Sequence, residues 1–287
     1  ILAFTALFDA GDRVGIGAPG YPSYRQILKA LDLVPVDIET QMVNRFQPIA
    51  KDISDNELSG FLVASPANPT GTMLDRKALS SLINEASDCG VSFISDEIYH
   101  GLEYETKAVS ALEITDDCFV INSFSKYFSM TGWRVGFAGG PKDIIANMSK
   151  MQSQSTSGSS AVSQAAAVAA LTGPQEFLVE RTANLQLRRD ILFDKLNKSR
   201  GLKCDLPRGA MYIFCSCAEN IGKKTPNGKI IETDEDFTMY LLNSVGVAVV
   251  QGNAYGLSPF FRASFVAPEA DLIRGGDKIQ EACAALS

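Results

Sequence analysis

The segment Cys118-Phe119-Val120-Ile121-Asn122-Ser123-Phe124-Ser125-Lys126 contributes most to the fold assignment, because an apolar run is followed, five residues later, by a lysine. Residues 119–121 are typical of a buried strand, and Arg134 follows Lys126 after eight residues. A lysine amine at the mouth of a buried sheet is costly unless a partner or a covalent bond occupies it. Taken alone, the pattern also fits a surface lysine, so the neighbouring strands decide its interpretation.

Two strands upstream end in polar side chains in the same way. Ser95-Asp96-Glu97-Ile98-Tyr99 ends one apolar run, and residues 61–64 lead into the turn-rich segment Ser65-Pro66-Ala67-Asn68-Pro69-Thr70-Gly71. The carboxyl ends of neighbouring parallel strands lie at one edge of a sheet, where α/β proteins bind ligands. The sequence therefore predicts one ligand site at this edge. Its side chains are Asn68, Asp96, Tyr99, Ser123 and Lys126.

Short β-type runs alternate with helical patterns through the first half of the chain. The runs cover residues 13–17, 34–38, 60–64, 91–95, 118–122 and 135–139. Helical patterns cover residues 24–31 and 76–89. This alternation predicts an α/β fold with a mostly parallel sheet that is covered by helices on both faces.

The character of the chain changes after residue 160. A long helical stretch runs from residue 161 to about 196 and is interrupted near Gly173-Pro174. Three further β-type runs then follow, over residues 209–214, 246–250 and 260–265. We therefore expect a large domain over residues 1–180 and a smaller C-terminal α+β domain over residues 181–287.

Composition excludes several classes of function. The chain has 287 residues, and its net charge of −7 disfavours sequence-independent binding to the phosphate backbone of nucleic acid. No apolar run approaches the length that a membrane-spanning helix needs. The six cysteines are scattered, which indicates reduced thiols in a cytoplasmic compartment, and the pair Cys215 and Cys217 with a single histidine does not predict a metal site.

Gly15-Ile16-Gly17-Ala18-Pro19-Gly20 matches the G-x-G-x-x-G pattern of dinucleotide-binding proteins. Three details oppose a nicotinamide or flavin site. The preceding strand is predicted to have only about three residues, Pro19 removes a backbone N–H that would face a pyrophosphate, and Tyr21 places a bulky ring at the helix entrance. We therefore do not predict a dinucleotide cofactor.

The combined motifs resemble those of the class I/II pyridoxal-phosphate-dependent aminotransferases of fold type I, the group that includes aspartate aminotransferases. The matching motifs are Asn-Pro-Thr-Gly at residues 68–71, Asp-Glu-Ile-Tyr at 96–99, Ser-Phe-Ser-Lys at 123–126 and Phe-Phe-Arg-Ala-Ser-Phe at 260–265. The resemblance covers nearly the whole chain. It implies a large pyridoxal-phosphate-binding domain of three α/β/α layers around a seven-stranded-type sheet, followed by the smaller domain.

The resemblance also implies roles for the residues at the sheet edge. Lys126 would form the internal aldimine with pyridoxal 5'-phosphate and move protons during a ping-pong transamination between an amino acid and a 2-oxo acid. Asp96 would face the pyridine nitrogen, and Tyr99 with Asn68 would donate to the cofactor's phenolate oxygen. Arg134 and Ser123 would bind the 5'-phosphate.

Four further residues are interpreted through the same resemblance. Tyr21 corresponds to the aromatic residue that stacks on the cofactor, and Ile98 to a residue on the opposite ring face. Arg262, with Asn68, corresponds to the group that binds the substrate's α-carboxylate. His100 is not expected to act as an acid or base, because Lys126 already transfers the proton. The peptide bonds before Pro19 and Pro69 are expected to be cis.

Family members begin well before the position of Ile1, so we expect that the sequence lacks an N-terminal part. That part supplies phosphate and substrate contacts, and family members form homodimers with shared active sites. Two alternatives stay open on the same fold. One is a carbon–sulfur β-lyase or a cyclising synthase, which the Asn-Pro-Thr-Gly turn and Tyr99 disfavour. The other is a transcription regulator domain that senses pyridoxal phosphate.

Overall fold

The computed structural model describes residues 1–287, with nine α-helices and ten strands. The helices are α1 (Leu2–Leu7), α2 (Pro22–Ala30), α3 (Lys51–Ser54), α4 (Arg76–Asp88), α5 (Lys142–Ser155), α6 (Ala161–Thr172), α7 (Glu176–Asn197), α8 (Asp234–Val245) and α9 (Glu269–Ala284). The strands are β1 (Arg13–Ala18), β2 (Val34–Glu39), β3 (Gly60–Ala64), β4 (Ser92–Asp96), β5 (Phe119–Ser123), β6 (Gly136–Gly139), β7 (Lys203–Cys204), β8 (Tyr212–Ser216), β9 (Val250–Gln251) and β10 (Phe260–Ser264).

Six strands form the first sheet, in the order β2-β1-β3-β4-β5-β6. All neighbouring pairs are parallel except β5 with β6, which is antiparallel. The predicted mostly parallel α/β sheet is therefore confirmed, with six strands here where the resemblance implied seven. The strand bounds differ from the predicted runs by at most one residue at either end.

Helices cover both faces of this sheet. Successive side chains of β3 point to opposite faces, so Phe61 and Val63 pack in one apolar cluster and Leu62 packs in another. The first cluster includes Leu79 and Leu82 of α4, while α1, α2 and α5 pack against the second. Three layers result, in agreement with the predicted helix–sheet–helix arrangement. None of the helices is long and apolar enough to cross a membrane.

The second sheet is antiparallel and has the order β7-β8-β10-β9. Its apolar face packs against α7, α8 and α9 in a cluster of 24 buried residues. The strand predicted over residues 246–250 is mostly absent, because Gly246 ends α8 with a positive φ of 69° and only Val250 and Gln251 pair with β10. Helix α7 runs through the predicted boundary at residue 181, so the division into two domains stays a prediction.

The glycine-rich segment lies largely inside β1. This strand has six residues, so the predicted length of about three was wrong. A Cβ atom on Gly15 would lie 2.7 Å from the Phe61 ring, and one on Gly20 would lie 2.2 Å from the Gly17 carbonyl oxygen. These glycines therefore permit close packing of the backbone, which accounts for the motif without a dinucleotide.

Three further features of the structure relate to the sequence-based expectations: one unpredicted helix, one predicted break between helices and two predicted cis peptide bonds. Residues 142–155 form α5, a helix that the sequence analysis did not predict. The predicted helical interruption near Gly173 separates α6 from α7. The bonds before Pro19 and Pro69 are both cis, as expected, and so are those before Pro66 and Pro259.

Candidate active site

A cavity of about 560 Å³ lies at the carboxyl ends of β3, β4 and β5, where the first sheet faces the second. Its size is within the range typical of sites for small molecules and cofactors. Every predicted site residue contributes to its lining: Tyr21, Asn68, Asp96, Tyr99, Ser123, Lys126, Arg134 and Arg262, together with Ile98. Four other polar residues line the cavity and were not predicted from the sequence, namely Tyr24, Ser125, Thr131 and Tyr212.

Strand register explains why these residues meet. Ala64 of β3 pairs with Asp96 of β4, and Asp96 pairs with Ile121 of β5, so the three strands end nearly level. The segments that follow them therefore enter the same space. After β5 the chain turns sharply, and the Ser123 hydroxyl accepts a hydrogen bond of 3.1 Å from the Ser125 amide. This turn directs Lys126 back over the sheet edge and into the cavity.

The Asp96 carboxylate lies in the cavity and is held by two donors. The Tyr24 hydroxyl donates to Oδ2, and the Ile98 amide donates to Oδ1 over 3.1 Å. Burial raises the pKa of Asp96 above its usual range, although both hydrogen bonds act in the opposite direction. Burial, with the Asp96 charge, also raises the pKa of Tyr24, so the phenol remains a donor. A cationic or protonated ligand group beside Asp96 would offset the cost of its burial.

Lys126 lies in the cavity beside Tyr99 and has no carboxylate partner. Its Nζ atom is 6.0 Å from the centre of the Tyr99 ring, and Lys126 forms no ion pair. The hydroxyls of Tyr99 and Tyr212 share a hydrogen bond of 3.1 Å. Burial raises the pKa of Tyr99, so this residue is a neutral hydroxyl in the working range of pH. The arrangement leaves an amine free to react beside a neutral donor.

Arg262 reaches the cavity from β10 of the second sheet. Its Nη1 atom donates to Asn68 Oδ1 over 2.9 Å, and its guanidinium lies 4.2 Å from the Tyr212 ring centre and 5.0 Å from that of Tyr255. These contacts fix the plane of the guanidinium. Its Nε atom is buried and has no hydrogen-bond partner in the protein. Since unpaired buried donors are costly, this atom points to an anionic ligand.

Arg134 and Ser123 provide donors at the outer end of the cavity. Arg134 has a left-handed backbone with φ 51° and an exposed side chain, whose Nη1 atom donates to the Thr131 carbonyl over 3.0 Å. The remaining guanidinium donors are free to bind a phosphate in a planar, two-bond contact. Tyr21, 44% exposed, lies at the rim and packs edge-to-face on Tyr24. It is positioned to cover a planar ring inside the cavity.

His100 lies outside the lining of the cavity. Its Nε2 atom is 3.0 Å from the Ser65 carbonyl oxygen, and its Nδ1 atom is 3.4 Å from Oε2 of the buried Glu97. The other oxygen of Glu97 accepts from Ser95, Ser110 and the Ala111 amide. His100 therefore links the Asp-Glu-Ile-Tyr turn to the turn that carries Asn68, and these contacts occupy both ring nitrogens.

The donor set fits pyridoxal 5'-phosphate. The cavity offers a primary amine for the aldehyde, a buried carboxylate for the ring nitrogen, and a phenol with an amide for the phenolate oxygen. Arg134 and Ser123 suit the phosphate at the outer end. The Nε atom of Arg262, which has no partner, is available to a second anion. Each polar group of the cofactor thus has a chemically matched side chain, and one anion site remains for a substrate.

Comparison with known proteins agrees with this fit. Residues 1–279 match the family model described as aminotransferase class I and II. The chain is 40% identical to an aspartate aminotransferase of Rhizobium meliloti, with a match that covers 99% of this chain and 72% of that protein. It is 38% identical to a probable aspartate/prephenate aminotransferase of Rhizobium leguminosarum, covering 99% of this chain and 73% of that protein.

Solved structures show the same relationship. The aspartate aminotransferase structure from Rhizobium meliloti superposes with a TM-score of 0.96 at 39% identity and covers 100% of this chain and 74% of that one. A putative aminotransferase from Silicibacter pomeroyi gives a TM-score of 0.89 at 45% identity, with 99% and 75% covered. The chain thus shares the fold of these proteins along nearly its whole length.

Proposed function

Because the chain belongs to the class I and II aminotransferases and is a transaminase, we propose that it transfers an amino group between an amino acid and a 2-oxo acid by a ping-pong reaction with pyridoxal 5'-phosphate. The observation that carries this proposal is the convergence of Lys126, Asp96, Arg134 and Arg262 on one cavity. The relatives named for aspartate and prephenate support a dicarboxylic amino acid as one substrate.

The cofactor, when bound, would supply an electron sink for the electrons released at the substrate's α-carbon. Lys126 would attach the cofactor through its amine and, once displaced by substrate, would move a proton from the substrate's α-carbon. Asp96 would keep a proton on the cofactor's ring nitrogen, and Tyr24 would hold Asp96 in place. Tyr99 and Asn68 would donate to the phenolate oxygen. Each role uses a group that already lines the cavity.

Two arginines that line the cavity would orient the reacting molecules. Arg134, with Ser123, would bind the cofactor's phosphate, while Tyr21 would stack on its ring. Arg262 would bind the substrate's α-carboxylate through Nε and Nη2, neither of which forms a hydrogen bond within the protein, while Nη1 remains bonded to Asn68. Since the two sheets each supply one end, substrate binding would join them and exclude water from the reaction.

We also propose a homodimer in the cytoplasm. Exposed apolar side chains on α6 and β6 support an interface on that side of the molecule. They are Val162, Val168, Leu171 and Phe137, each more than half exposed. All six cysteines are free, which agrees with a reducing compartment.

Lys126 should be the only lysine that becomes covalently linked to the cofactor. Borohydride reduction of the protein mixed with pyridoxal phosphate, followed by peptide mass analysis, should place the label on the peptide that contains Lys126. The Lys126→Ala variant serves as the control and should carry no specific label. A label that persists in this variant, or that maps to another lysine in the parent protein, would refute the proposed role.

Removal of the Tyr24 hydroxyl should lower turnover without changing substrate affinity. Tyr24→Phe loses the donor to Asp96 Oδ2, and a hydrogen bond to a charged group contributes about 1.5–3 kcal/mol, so we expect kcat to fall by roughly ten- to a hundred-fold. KM should stay constant, because Tyr24 contacts Asp96 and lies apart from Arg262. Tyr240→Phe is the matched control, since its hydroxyl bonds to the Ala282 carbonyl outside the cavity. Equal kinetics in the two variants would contradict the prediction.

A further inference from the structure

A second cavity, of about 360 Å³, adjoins the first at Lys126. We call it the arginine cavity, because Arg181 and Arg188 of α7 line it together with Asn184. These three positions are separated by three and four residues, so they lie on one face of the helix. Lys126 lines both cavities. An occupant of the arginine cavity would therefore lie next to the reactive amine.

Both arginines keep one buried nitrogen without a partner. Arg181 donates through Nη1 to the Ser129 hydroxyl over 2.5 Å, while its Nη2 atom is buried and unpaired. Arg188 donates through Nη1 to the Val266 carbonyl over 3.0 Å, while its Nε atom is buried and unpaired. Each guanidinium is thus anchored at one atom and leaves another available. Nearly all buried polar groups in proteins are hydrogen-bonded, so two such atoms at one cavity indicate a missing acceptor.

The charge of the lining also favours an anion. Lys126, Arg181 and Arg188 contribute three positive groups, and Glu180 contributes a single negative one. No carboxylate forms an ion pair with either arginine of the cavity. Burial lowers the pKa of Arg181, and the Tyr127 ring, 5.9 Å from its guanidinium, offsets this effect only in part. An anionic ligand would supply the compensation.

The spacing of the two arginines indicates which class of anion the arginine cavity would bind. Arg181 and Arg188 are seven residues apart, which places their Cα atoms about 10 Å apart along the helix axis. The lining also includes apolar side chains, among them Leu102, Leu185 and Met211. Two planar guanidinium groups in one cavity that also has apolar wall residues match a short carbon chain with a carboxylate at each end.

We propose that the arginine cavity binds a small dicarboxylic acid, held by Arg181 and Arg188 and separate from the carboxylate site at Arg262. Its negative charge beside Lys126 would stabilise the ammonium form of that amine. Covalent attachment of the cofactor requires the neutral amine, so occupancy would slow attachment. The site does not depend on transamination, because its residues and its occupant are defined without the cofactor.

Succinate is a suitable probe, since it has neither an amino nor an oxo group. Calorimetric titration of the cofactor-free protein at low salt should show succinate binding that weakens at least ten-fold when Arg181→Gln and Arg188→Gln are combined. Lys198→Gln removes a positive charge from an exposed position directly after α7, where Lys198 pairs only with Asp194, and this variant should bind succinate as the parent does. Arg262→Gln should retain the site. The proposal would be overturned if Arg262→Gln abolished succinate binding while the double variant bound succinate as the parent does.

A second measurement needs no variant, so a folding defect cannot obscure the result. Phenylglyoxal modifies accessible arginines, and succinate should reduce the modification of Arg181 and Arg188 as measured by peptide mass analysis. Protection confined to Arg262 would overturn the proposal. Enzyme kinetics then distinguish whether the dicarboxylic acid in the arginine cavity is the substrate or a separate molecule. A rise in KM for dicarboxylic amino acids alone in the double variant would indicate the substrate, whereas slower cofactor attachment with succinate in the parent would indicate a separate molecule.

Discussion

Asp96→Asn should retain bound cofactor and lose at least nine-tenths of its turnover. The asparagine amide is close in shape to the carboxylate and can keep both local contacts, because its oxygen can accept from the Ile98 amide and its NH2 can donate to the Tyr24 hydroxyl oxygen. A neutral amide cannot hold a proton on the cofactor's ring nitrogen, and without that proton the electron sink is weak. We therefore expect kcat to fall more than ten-fold, which corresponds to a loss of at least ~1.4 kcal/mol of transition-state stabilisation.

The same substitution should not destabilise the cofactor-free protein. Burial raises the pKa of Asp96 in the folded state. A carboxyl with a raised folded-state pKa contributes stability that is fully present below its unfolded-state pKa of about 3.9 and is lost as the pH rises through the folded-state value. At pH 7 ionised Asp96 therefore weakens the cofactor-free fold, and the neutral amide avoids this cost. Melting temperatures at pH 7 should be equal or higher in Asp96→Asn, with the difference narrowing towards pH 4.

Three measurements together decide the role of Asp96: visible absorbance of the bound cofactor, single-turnover rates and the melting curve. A variant that keeps more than a tenth of the parent turnover would show that Asp96 does not maintain the electron sink. Lower stability with the same loss of turnover would show instead that the substitution damages the fold. The matched comparison is Tyr24→Phe, which removes the neighbouring hydroxyl and leaves the carboxylate in place.

The sheet edge was predictable because its signals are local. Asp96 lies two residues after a short apolar run and Lys126 lies five residues after another, and parallel pairing brings such strand ends together whatever the rest of the chain does. The strand bounds followed from the same apolar runs. The length of β9 was not predictable in this way, since residues 246–250 are apolar and yet only two residues of the strand pair with β10.

The sequence around Tyr24 and Tyr212 contains no local pattern that predicts their place in the cavity. Tyr24 contacts Asp96 across 72 residues of sequence, and Tyr212 contacts Tyr99 across 113. Both belong to ordinary elements, a helix and a buried strand, in which a tyrosine is as typical of packing as of function. Tyr24 follows Tyr21 by three residues and the two rings are in contact, with their centres 5.4 Å apart, but Tyr21 has an extended backbone before α2, so helical spacing does not predict this contact. The arginine cavity likewise depends on packing of α7 against distant segments.

Arg262→Ala should impair the use of amino acids far more than the binding of cofactor. Arg262 belongs to β10 of the second sheet, whereas Lys126 and Asp96 lie at the edge of the first, so we expect Arg262 to contact the substrate rather than the cofactor. The Nε atom is unpaired, and the rings of Tyr212 and Tyr255 hold the guanidinium plane in place before substrate arrives. This preorganisation lowers the entropic cost of binding a carboxylate through two parallel bonds.

The expected size of the Arg262→Ala effect follows from that two-bond contact. Hydrogen bonds to charged groups contribute about 1.5–3 kcal/mol each, so kcat/KM should fall roughly a hundred-fold or more. KM should rise for every amino acid, and kcat should fall as well because the carboxylate joins the two sheets around the reacting atoms. Arg262→Lys keeps the charge without the planar fork, so it should recover only part of the loss. The affinity for pyridoxal phosphate, measured by absorbance titration, should change little in both variants. Unchanged kcat/KM, or loss of the cofactor alone, would mean that Arg262 does not bind the substrate.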